Sequence, residues 1–166
     1  MKTKWWVVLF VLAACQKNEA VSDFTGNQAT YGLVQASEYA VSGTVTFKER
    51  KDSTTTVLVQ LKGTDGTAQL PVHLHMGTVA ENNAAIAAII TSVDAKSGVG
   101  ESVVSQLADG TPVSYKGLLK LSAYVNIHAA ISGPQSAVIL AAGNIGVNGT
   151  TSSSSRIGNC QSTLQN

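Results

Sequence analysis

Lysine, glutamate and arginine are scarce in this chain. Charged residues make up 13% of its 166 positions, about half the usual share of roughly 25%. The balance is 11 basic against 10 acidic side chains. Without Lys2 and Lys4 it becomes 9 against 10, a net charge near −1. No basic stripe is left to follow a phosphate backbone, so nucleic acid is not an expected partner. A Gly-X-Ser-X-Gly elbow, a P-loop and a dinucleotide fingerprint are all missing, which removes the common nucleophile and nucleotide chemistries. The acidic residues are scattered, with no carboxylate pair set up for glycoside hydrolysis. The serines near the C-terminus have no base beside them. The apolar run Trp5 to Ala14 falls short of the roughly 20 residues that cross a bilayer.

Valine, threonine, glycine, alanine and serine dominate instead, a balance that favours strands over helices. Tyr39 to Lys48 alternates, with Val41, Gly43, Val45 and Phe47 on one face. A charged turn follows, and Thr54 to Leu61 returns with Val57, Val59 and Leu61 inward, which reads as a hairpin. Gln69 to Met76 is a third strand burying Leu70, Val72, Leu74 and Met76. Pro71 on its other face suggests an edge strand or a strand's beginning. Residues 84–93 mix alanine with isoleucine and read as strand, and Val99 to Leu107 as its returning partner. Residues 113–119 form a connection with a helical turn including Tyr115, Leu118 and Leu119. Lys120 to Ala129 and Ala137 to Ala142 are the last strands. Many short alternating strands with turns between them predict an all-β, antiparallel Greek-key sandwich or barrel. The expected division is a leader over 1–14, a polar tether over 15–37, one β-domain over 38–147 and a flexible Ser-rich tail over 148–166.

The chain has three histidines. His73 and His75 lie in Leu-Pro-Val-His-Leu-His-Met-Gly, and His128 in Tyr-Val-Asn-Ile-His. In both runs the alternate positions are apolar, so the histidines point away from the core. Two histidines at i and i+2 have Cα atoms about 6.5–7 Å apart on one face. If the two strands are close, three imidazoles meet, a sufficient set for copper or zinc. The plain alternative is a hydrogen-bonded histidine cluster. Asn126, two residues before His128 on the same face, is expected to hold a histidine tautomer. Met76 points inward by parity. Tyr39, Tyr115 and Tyr124 could line a contact surface, the rim or the core.

A short basic start, an apolar run and the tetrad Leu12-Ala13-Ala14-Cys15 resemble the signal peptide and lipobox of bacterial lipoproteins. The resemblance implies cleavage before Cys15 and acylation of that residue, with enough chains for stable membrane attachment. Cys160 would then be unpaired, and no disulfide is expected. Gln16-Lys17-Asn18-Glu19-Ala20 is similar in part to the export tag of Bacteroidetes surface lipoproteins, with Asn18 where an acid is usual. The resemblances imply an outer-membrane lipoprotein facing the cell surface or the periplasm.

Four segments, Val41-Ser42-Gly43-Thr44-Val45, Val72-His73-Leu74-His75-Met76-Gly77, Tyr124-Val125-Asn126-Ile127-His128 and Ala141-Ala142-Gly143-Asn144-Ile145-Gly146, together resemble the CHRD domain of exported proteins. The ending departs from the family's commoner Gly-Glu-Ile-Arg-Gly run. The histidine pattern is also similar to the copper half of Cu,Zn superoxide dismutases, which implies copper at His73, His75 and His128 and a superoxide dismutase-like barrel. The bridging histidine and the zinc-binding cluster of those enzymes are missing, and no arginine lies in the matched region to guide an anion. The expectation is a lipid-anchored, non-catalytic binding module with a copper (or zinc) site. The alternatives are a copper-dependent dismutase-like enzyme and a metal-free structural or adhesion module with a protein or glycan partner.

Overall fold

The computed structural model describes residues 21–81 and 84–152. The leader, Cys15, the export-tag segment and Cys160 lie outside the described residues. Eight strands form a closed antiparallel barrel: β1 (Phe24–Gln35), β2 (Ser42–Arg50), β3 (Thr55–Lys62), β4 (Gln69–Met76), β5 (Ile86–Asp94), β6 (Val99–Val104), β7 (Ser122–His128) and β8 (Ile139–Gly146). Their order around the barrel is β1-β2-β3-β6-β5-β4-β7-β8. The links β3 to β4 and β6 to β7 each pass over two strands, which makes the Greek key. A short helix, α1 (Tyr115–Leu118), lies in the second of these links.

Sandwich and barrel are both apt descriptions. Two four-stranded sheets, β1-β2-β3-β6 and β5-β4-β7-β8, join along short seams. One seam is Val34 and Gln35 against Ala142 and Ala141, and the other is Asp94 against Val99. Between the sheets, Phe47, Val45, Val57, Val59, Val72, Leu74, Ile127 and Ile145 are almost wholly buried. Tyr31 meets Phe47 edge-on at 5.9 Å, a geometry that aromatic rings favour. Tyr115 and Leu118 of α1 join the same core.

The expected tether is corrected over Phe24–Gln35, which is the first strand of the barrel. Ala29, Tyr31 and Leu33 are its buried positions. Polar Thr, Asn, Gln and Gly between and before them dilute the alternation in the sequence. The start of the expected tail is also attached. Thr151 bridges to Tyr31, and the Ser152 amide donates to the Thr30 carbonyl at 2.9 Å. The edge-strand reading of Pro71 is corrected too, because β4 lies between β5 and β7. Pro71 falls where the β5 ladder shifts between Leu70 and Val72, just before pairing with β7 begins at Val72. A missing N–H is tolerated at such an irregularity. Met76, expected inside, is 39% exposed at the end of its strand.

Candidate metal centre

β4 and β7 pair antiparallel with His73 opposite Asn126 and His75 opposite Tyr124. His128 is therefore the diagonal neighbour of His73 on the same face. The β7–β8 register shifts between Ile127 and His128, where Leu140 of β8 is the extra residue, the two-against-one count of a bulge. The rings of His73 and His128 stand 4.7 Å apart between centroids, and those of His73 and His75 5.9 Å. One nitrogen from each of the three rings lies within 4.8 Å of the others. A tetrahedral ion about 2.0–2.1 Å from each nitrogen would set neighbouring nitrogens about 3.4 Å apart. Side-chain adjustments on the order of 1 Å close that difference.

The hydrogen bonds fix which nitrogen is free. His75 Nδ1 lies 3.0 Å from the Ala84 carbonyl oxygen, and His128 Nδ1 lies 2.9 Å from that of Ser136. A carbonyl only accepts, so each Nδ1 carries a hydrogen, and in the neutral form of each ring Nε2 is the atom with the lone pair. Both Nε2 atoms are buried and have no hydrogen-bond partner among the described residues. Buried polar atoms are rarely left this way, and outer partners that orient a histidine are a regular part of metal sites. Ser37 Oγ, Arg50 Nε and the Thr55 and Thr56 hydroxyls are also buried without a hydrogen-bond partner among the described residues, but of all these atoms only the two histidine nitrogens belong to the three-imidazole group. Burial pushes the His73 imidazole below its ordinary 6.5, with smaller pushes from His128 and His75. Around neutral pH that ring is uncharged and has a lone pair to offer.

The face is not open to water in the way that strand parity alone predicts. Tyr124 points outward from β7 yet is 3% exposed. Its ring stacks on His75 at 5.0 Å and 13°, and its hydroxyl donates to the Glu81 carbonyl at 3.2 Å. Gly77 starts the covering loop at φ 95°, a left-handed conformation that glycine adopts without strain. Tyr115 is likewise core, so of the three tyrosines only Tyr39, 45% exposed, stays at the surface.

The expected role of Asn126 is corrected. The Nδ1 atoms of His75 and His128 bond to main-chain carbonyls of the two flanking loops, not to its amide. Asn126 instead lines a cavity of about 560 Å³ with His75, His128, Tyr124, Glu81 and Val79. A second cavity, about 450 Å³, touches His73 and His128 and is rimmed by Ile89 and Ile131. Those isoleucines are 75% and 72% exposed. Sequence reasoning missed Ala84, Ser136 and Glu81. The first two act through carbonyls that every residue has, so their side chains give no signal. Comparison of the chain with protein-family models, curated proteins and solved structures returns no match.

Proposed function

We propose that this β-barrel is a lipid-anchored, extracytoplasmic domain of the CHRD type that binds one copper or zinc ion through His73, His75 and His128. The observation that carries this reading is the pair of buried, unpartnered Nε2 atoms beside a third, neutral imidazole. Water or a hydrogen-bonding side chain would normally satisfy such atoms, and a metal ion satisfies both at once. Copper(II) outranks zinc in the usual affinity order, so copper is the first choice where both are offered. The lipobox-like tetrad ending at Cys15 supports membrane attachment, and the export-tag-like segment supports the surface.

Binding rather than catalysis is the proposed role. Among the described residues, no lysine or arginine lines either cavity that touches the histidines, and an anion such as superoxide benefits from a guiding positive charge. The test is metal analysis of purified protein after incubation with copper or zinc and removal of the excess. We expect about one ion per chain for the wild type and none for His75→Ala or His128→Ala. Equal metal in wild type and variants would refute the site. Superoxide turnover by the copper-loaded protein above that of the free ion would overturn the non-catalytic role. Palmitate labelling that persists in Cys15→Ser would remove the anchor.

A further inference from the structure

Three neutral imidazoles leave a divalent ion with its full charge in a half-buried setting. Uncompensated charge away from water is costly, and a carboxylate is the usual remedy. Among the described residues that line the two cavities touching the histidines, Glu81 is the one with an acidic or basic side chain other than histidine. It shares its cavity wall with His75 and His128. Its backbone is tied to the site, because its carbonyl accepts the hydroxyl of the tyrosine stacked on His75. Its carboxylate accepts from the Thr78 amide at 2.8 Å in an exposed turn and lies over Gly77, two residues after His75. A side chain at position 77 would collide with it.

We infer that Glu81 is a fourth, exchangeable ligand that turns from the Thr78 amide into the cavity when a divalent ion binds the three histidines. The inference rests on the three-histidine reading of the site. The exchange gives up one exposed hydrogen bond, a modest loss. It gains a carboxylate–metal bond and a neutralising charge where three nitrogens supply none. Zinc and copper(II), which accept mixed imidazole and carboxylate sets, are favoured by this arrangement. Copper(I) carries a single charge and is content with few nitrogen ligands, so it has little use for Glu81. The glutamate therefore sets the preference of the site for divalent over monovalent ions.

The experiment is competition titration of the full chain in detergent, with zinc against a chromophoric chelator and copper(I) against a copper(I)-selective one. Wild type, Glu81→Gln and His75→Ala are compared. Glutamine keeps an acceptor for the Thr78 amide, so the turn survives the change. His75→Ala gives the background from thiols elsewhere in the chain. We expect Glu81→Gln to lose about 10- to 100-fold in zinc affinity, the range seen when a supporting group is removed, and to keep its copper(I) affinity within a few-fold. Unchanged zinc affinity in Glu81→Gln, with His75→Ala still losing the ion, overturns the role of Glu81 and leaves the three-histidine site intact. Equal losses for zinc and copper(I) also overturn it, since they mark a general structural effect. Zinc binding by wild type no better than His75→Ala refutes both readings together.

Discussion

Two polar clusters on the outside of the barrel differ in one respect that matters. Where β1 meets β2, the Glu49 carboxylate accepts from Asn27 Nδ2 at 2.6 Å and from Thr25 Oγ1 at 2.9 Å. Those donors hold its pKa below the ordinary carboxylate value. Its needs are met within the protein and by water. On β4 and β7, two imidazole nitrogens are buried with no partner. The first cluster closes on itself, while the second leaves two buried nitrogens without a partner among the described residues. A polar group's unmet bonding capacity, weighed with its burial, is a better pointer to a ligand than the residue type alone.

The largest effect that sharpens this contrast is metal-linked stability. At a free metal concentration 100 times Kd, binding adds about 2.7 kcal/mol. Thermal unfolding with and without copper should show a clear rise in Tm for wild type and none for His128→Ala. The Glu49 cluster should be indifferent to metal in the same scan.

Next comes Tyr124→Leu. It removes the stack on His75 and the hydroxyl bond to the Glu81 carbonyl. A cost of about 1–2 kcal/mol in denaturant unfolding is expected from the lost hydrogen bond and ring contact. Metal affinity should fall about tenfold as His75 loses its support. An unchanged affinity would mean that the Ala84 carbonyl alone holds the ring.

Acid separates the clusters by where each loses its contribution. The folded His73 imidazole lies below its ordinary 6.5. The unfolded chain therefore takes up more protons than the folded one between the two values, and unfolding is favoured there. The His73 contribution is complete above 6.5 and is lost as pH falls from 6.5 towards the folded value. Glu49 is depressed from 4.5, so its contribution stays intact above 4.5 and is lost only as pH falls below that. Tm against pH for metal-free protein should decline first below 6.5, and His73→Ala should remove that early decline. The smallest effect is expected from Thr25→Ala. It should leave metal uptake unchanged and lower Tm by less than Tyr124→Leu does.

Much of the barrel is legible in the chain because alternation with period two survives in β2, β3, β4 and β7, where Val45, Val57, Val72 and Ile127 repeat on the inner face. β1 was hidden because its inward set is short and begins only at Ala29, after the polar residues 25–28. Pro71 misled because a ladder shift that excuses a proline is a property of the partner strand. Parity gives no exposure for Tyr124, which the chain leaves open as contact surface, rim or core and the structure buries to 3% exposure. A pattern reports which face a side chain is on, and a loop from elsewhere decides whether that face is wet.

The sequence by itself determined that strands would form, which faces they would bury, and that His73, His75 and His128 would all avoid the core. Side-chain parity and β-propensity are local, so the chain carries them without help. Only the tertiary structure decided that β4 and β7 are neighbours, that the three rings converge, and that the carbonyls of Ala84 and Ser136 leave two lone pairs free. Strand order around a Greek key joins residues some 50 positions apart in the chain, and a carbonyl's direction depends on the path of its loop rather than on its side chain.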